Sequence, residues 1–305
     1  MDHLFIPLAL VAGGLLAVQA GANAQLAKAT GSAFAATTLQ LSVGTAVLIL
    51  VTLATGTFAA LAGLTQVAWW HAIGGTASAF YVVATILLFP RLGAVVSVGL
   101  IIAGQMLASV ALDGFGWLGV PPRGFGVASL AGALVVLAGA AAVVFGQTAG
   151  PAGMPRPGWI LFALLAGAVL PVQGAVNALL RQDLGAPFAV GAVSFFVATL
   201  AMAAVLLLAL AFNRQPRPSL TGVAAMPWWG WLGGLAGATY VTTLFTAIPV
   251  IGTAAAVGLT VAGQQLASVL VDRNGWFRLA ERPVSGLRLA GVVLIIAGVA
   301  VLKLA

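Results

Sequence analysis

Two short patterns bring polar groups to one helical face. Gln105, Ser109 and Asp113 fall at i, i+4 and i+8, and so do Gln264, Ser268 and Asp272. On a helix that spacing makes a polar stripe ending in a carboxylate. Amides and hydroxyls both donate and accept hydrogen bonds, so each stripe suits either a polar solute or a neighbouring helix. An Asp at a helix C-terminus opposes the helix dipole and needs a partner. For Asp113 and Asp272 two roles compete. One is a gating or proton-binding carboxylate at a cavity mouth. The other is a structural ion pair with Arg123 and Arg282, each ten residues further on across a Gly-containing loop. The structural pair is the expectation, each Asp locking its own loop rather than serving as a shared central proton site.

A second doubled pattern is Gln19 with Asn23 and Gln173 with Asn177, each pair four residues apart. Their amides are candidates to line a cavity or to bond helix to helix, and both readings stand. Tyr81 and Tyr240, the only tyrosines, occupy equivalent mid-span positions, where a phenol wants either a substrate or a neighbouring helix. The candidate solute-binding set is therefore Gln19, Asn23, Tyr81, Gln105, Ser109, Gln173, Asn177, Tyr240, Gln264 and Ser268. Trp69, Trp70, Trp228 and Trp229 read as interfacial anchors. Gln40 aligns with Ser194 and His71 has no repeat partner, so neither carries weight.

What must position these groups follows from composition. The 305 residues include twelve Lys/Arg and five Asp/Glu, 62% are hydrophobic, and mean hydropathy is +1.16. Soluble domains carry about 25% charged residues, so a water-soluble enzyme is excluded. The net charge of +7 is scattered singly between apolar runs, which does not fit nucleic-acid binding. With no Cys and two His, thiolate and metal sites are not expected. There is no nucleophile–base pair or nucleotide loop, so no enzymatic activity or cofactor is expected.

Ten apolar runs approach the roughly 20 residues a membrane span needs: 4–23, 34–55, 69–89, 92–112, 127–146, 158–177, 187–211, 228–248, 251–271 and 286–304. Tight turns at Pro90–Gly93 and Pro249–Gly252 are expected to end the third and eighth. The first run is not a cleaved signal peptide, lacking a basic start. Lys28, Arg91, Arg156, Arg214, Arg217, Arg273, Arg278, Arg282 and Arg288 fall on one side, against Arg123, Arg181 and Lys303 on the other. Nine against three makes the first side cytoplasmic and puts both termini outside.

The chain repeats itself. Residues 13–45 match 167–199 with 12 identities in 33, and 69–117 match 228–276 with 23 in 49. The offsets are 154 and 159. Residues 1–146 form a first five-helix repeat, 147–157 a Gly/Pro linker, and 158–305 a second repeat. Five is odd, so the second repeat enters the membrane from the opposite face, as in transporters that alternate access. The expected fold is all-α and integral to the membrane.

The "VQxxxNAxL", "WWxxxGGxxxxxYV" and "AGQxLASVxxDxxG" motifs resemble those of the YdcZ family in the drug/metabolite transporter superfamily. The resemblance implies a fused ten-helix transporter with a central cavity lined by spans 1, 3, 4, 6, 8 and 9, in a bacterial inner membrane. No acidic or basic residue lies mid-span, so a neutral or zwitterionic polar metabolite or drug-like solute fits better than a cation. The alternatives are a non-transporting membrane scaffold and a lipid or headgroup transporter. The partners expected are a small-molecule solute and the bilayer. A homodimer is not required, since the repeats are fused.

Overall fold

The apolar runs become helices because a backbone in lipid must satisfy its hydrogen bonds within the segment. The computed structural model describes residues 2–92, 94–145, 157–215, 217–279 and 284–304. Among these, all regular structure is helical. The long helices are α1 (Asp2–Thr30), α2 (Ala33–Ala54), α3 (Thr76–Leu92), α4 (Ala94–Phe115), α5 (Val127–Phe145), α6 (Pro157–Leu184), α7 (Pro187–Ala211), α8 (Leu232–Ile251), α9 (Thr253–Asn274) and α10 (Gly286–Leu304). Eight segments are long and apolar enough to cross a membrane; α5 and α10 contribute shorter apolar stretches, Val127–Val143 and Gly286–Leu302.

Several boundaries differ from expectation. α1 and α6 run seven residues past the expected ends at 23 and 177, because their last turns are polar and hydropathy undercounts them. Arg181 and Asp183 thus sit on α6 rather than in a loop. Pro90 and Pro249 do not end their helices: α3 continues to Leu92 and α8 to Ile251. A proline forfeits one backbone bond, and the Gly252 N–H, at φ 87°, still closes α8 on Ile248 O at 3.0 Å. Pro157, expected in the linker, opens α6. The rest of the linker, Gly93, Glu281 and Arg282 lie outside the described residues.

Packing runs mostly between the two sequence repeats. α1 lies against α8 and α9, α6 against α3 and α4, α2 against α7, and α5 against α10. Glycine sets the closest crossings. A Cβ at Gly13 would strike the Thr260 backbone and one at Gly263 the Leu10 backbone, where α1 crosses α9. Gly167 on Ile101 and Gly104 on Leu164 make the equivalent crossing of α6 with α4. Removing side chains lets backbones approach where lipid supplies no hydrophobic drive.

Equivalent residues also meet each other. Thr45 and Thr199, 154 apart, share a hydroxyl hydrogen bond at 3.1 Å. Leu118 and Phe277, 159 apart, both take left-handed backbone in the loops after α4 and α9. Sequence equivalence is therefore matched by equivalence in local structure.

Candidate functional site

The polar groups gather where the two repeats cross. On α6 the Gln173 side-chain carbonyl accepts from the Ser78 hydroxyl at 3.0 Å, and its amide donates to Ser194 Oγ at 3.4 Å. The Asn177 amide donates to the same oxygen at 3.0 Å. Ser78 lies one turn before Tyr81 on α3. In the second repeat, then, the Gln/Asn pair ties α6 to α3 and α7.

The first repeat differs. Asn23 donates weakly to Thr37 Oγ1 at 3.4 Å, and its carbonyl, like that of Asn177, is buried without a partner. Gln19 packs its amide against Gly237, one turn before Tyr240 on α8. Gly237 occupies the position equivalent to Ser78 at offset 159, and glycine has no hydroxyl to offer. Gln19 is half-buried and makes no side-chain hydrogen bond among the described residues. The Tyr240 phenol is buried and lies beside the Thr260 hydroxyl.

The Asp113 carboxylate ends up elsewhere than expected. It accepts from the backbone N–H of Thr253 and of Ala254, both at 2.7 Å, and so caps the N-terminus of α9. The expected Asp113–Arg123 ion pair is not formed. The Arg123 backbone N–H donates to Asp113 O at 2.7 Å, which closes their own loop. Its guanidinium instead donates to Val250 O at 3.1 Å, at the C-terminus of α8. The turn between α8 and α9 is gripped by a carboxylate on its helix start and a cation on its helix end, both favourable to the dipoles. This resolves the burden on Asp113: the C-terminus of α4 disfavours it, and the α9 N-terminus compensates.

Asp272, equivalent to Asp113, makes a different contact. Its carboxylate pairs with Arg288 Nη2 at 2.8 Å, and Arg288 is buried. Arg288 corresponds to Ser129 at offset 159, so the first repeat has no such cation.

The two stripes also differ in exposure. Gln105, Ser109 and Asp113 are buried, with Ser109 at 0% and Asp113 at 7%. Gln264, Ser268 and Asp272 are partly exposed, the Asp272 side chain at 25%. The helix starts follow suit. Ala255, Val257, Gly258 and Leu259 on α9 are buried, whereas Val96, Val98, Gly99 and Leu100 on α4 are partly exposed. Among the described residues, the start of α9 is the more deeply buried of the two.

Residues that carried no weight in the sequence also matter here. His71 pairs with Asp183 at the α8–α9 end, tying the turn before α3 to α6. Near it a shallow depression of about 230 Å³ is lined by Arg181, Gln182, Gly185 and Pro249. Gln40 donates to Gly233 O at 3.4 Å, joining α2 to α8. At the other end Ser32 Oγ donates to Gln215 at 2.7 Å, and the Ser219 N–H to Thr30 O at 3.0 Å, docking the segment after α7 on the α1–α2 turn. These partners lie far apart in sequence and carry no local signature.

Apolar helices with internal polar stripes and glycine crossings define a polytopic integral membrane protein. The chain belongs to the YdcZ family: the model described as "Putative inner membrane exporter, YdcZ" matches residues 4–142 and again 158–301. A crystal structure of a protein 23% identical to this one shares the fold, with a TM-score of 0.67 over 99% of this chain and 97% of that one. No curated protein matches the chain.

Proposed function

We propose that the protein is a secondary transporter that exports a small polar, neutral or zwitterionic solute by alternating access between two inverted five-helix repeats. In this reading α5 and α10 also span, making ten spans, and the division is 1–146 and 158–305. The excess of basic residues places the α3–α4 end in the cytoplasm and both termini outside.

The observation that carries the reading is the unequal environment of equal sequences. The stripe ending in Asp113 is buried under the α8–α9 turn, and the stripe ending in Asp272 is partly exposed. The two segments carry the same Gln, Ser and Asp in the same register, so the stripe by itself gives no reason to differ so. One of two interchangeable states, closed outward and open inward, supplies that reason. Tyr81, Tyr240 and Gln19 then lie between the two ends. Gln19 is the amide free to bind solute, whereas Gln173 is committed to Ser78 and Ser194. A non-transporting scaffold would give the many interhelical bonds but no reason for the asymmetry.

Flux into proteoliposomes, against a panel of polar neutral, zwitterionic, cationic and lipid-like solutes, tests this. Saturable movement of a neutral or zwitterionic solute, reduced by Gln19→Ala, is expected. No flux above empty liposomes for any class would overturn it.

A further inference from the structure

We propose that Asp113 and Asp272 are alternating clasps, each capping the first turn of the opposite repeat's helix in one of two states, with Arg288 holding Asp272 in reserve. The proposal rests on the alternating-access reading above. Three observations carry it. Asp113 caps Thr253 and Ala254 with both carboxylate oxygens. The 159-residue offset that maps Asp113 onto Asp272 maps Thr253 and Ala254 onto Ala94 and Val95, the start of α4. And Asp272 is engaged instead with Arg288, a cation the first repeat lacks.

The exchange follows from these groups alone. When the α8–α9 turn leaves Asp113, the outer end opens, and two N–H groups and a carboxylate lose their partners. When the α3–α4 turn reaches Asp272, two equivalent N–H groups gain one. The electrostatics of the two ends are therefore nearly balanced, as a reversible carrier requires. Arg288 breaks the balance. It stabilises Asp272 away from α4 and so favours the state seen here. It acts as a bias on the conformational equilibrium, set by one residue that has no counterpart in the first repeat.

The chain has no Cys, so single cysteines report accessibility cleanly. Ser109→Cys lies beneath the Asp113 clasp and Ser268→Cys at the equivalent place on α9. A membrane-impermeant maleimide is applied from outside for the first and from the cytoplasmic side for the second. Arg288→Gln is expected to speed outside labelling of Ser109→Cys by about tenfold, the loss of one charged hydrogen bond, and Asp113→Asn to do the same. Asp272→Asn is expected to slow it. The Arg288→Gln/Asp272→Asn double variant should lose the acceleration, because Arg288 acts only through Asp272. Arg288→Gln leaves the Asp113 clasp untouched, so the test survives if Asp113→Asn fails to fold. Reporters that trade reactivity between sides but ignore Asp272 and Arg288 would overturn the clasp alone. Reporters that never trade reactivity in any variant would overturn alternating access with it.

Discussion

A single missing hydroxyl separates the two halves of the candidate site. Gln173 meets Ser78, and its counterpart Gln19 meets Gly237. Gly237→Ser should supply Gln19 with the partner it lacks, since a Cβ there meets only the movable end of that side chain. The expected outcome is a KM raised three- to tenfold, the value of about one net hydrogen bond, with folding intact. Unchanged KM in flux assays would remove Gln19 from the binding site. The converse change, Ser78→Gly, should free Gln173 and lower thermal stability in detergent by about 1 kcal/mol. The sequence shows the doubled polar residues plainly, and it even contains the Ser78/Gly237 difference. It cannot show that difference to matter, because only packing sets Gln173 opposite Ser78. The true partners of Asp113 are still less legible: backbone N–H groups exist at every residue, and these lie 140 and 141 residues away. The pairing of His71 with Asp183 has the same character.

Helices, by contrast, announce themselves, because lipid demands long apolar runs and little else. The misjudged boundaries all involve polar final turns or prolines near helix ends, where hydropathy and backbone geometry part company. How helices cross is written in glycine, at Gly104 and Gly263 among others. Gly263→Leu should drive α1 off α9, because the added side chain meets the Leu10 backbone, which cannot give way. Overpacking typically costs about 1–3 kcal/mol and more when backbone must move. The expected result is loss of the monodisperse peak in size-exclusion chromatography. Gly286→Ala, facing open space, should leave that peak unchanged. Equal behaviour of the two variants would contradict the role assigned to the crossing.

At the scale of the whole molecule, the repeat is legible and the way its halves embrace is not. Identity counts reveal two copies of one sequence pattern. They do not reveal that α1 seeks α8 and α9, or that α6 seeks α3 and α4. Neither half has its best partners within itself. Severing the chain between residues 150 and 151 and co-expressing the pieces should therefore yield a complex that co-purifies through a tag on either one. Each piece expressed alone should be degraded. A stable, solute-binding half on its own would show that the crossings between repeats are not what holds the fold.

The crossing of α1 with α9 also has a consequence in time. Gly13 and Thr260 touch across most of the chain's length. At a synthesis rate of about 5–20 residues per second, α1 waits on the order of ten seconds to a minute before α9 leaves the ribosome. Throughout that interval the amide of Gln19 stands in or beside lipid with its eventual neighbour Gly237 not yet made. The nascent protein must shelter its first helix, against the insertion machinery or against α2, whose Thr37 already contacts Asn23. Slowing translation after α7 would lengthen that exposure and lower the yield of assembled protein, even with every codon read correctly.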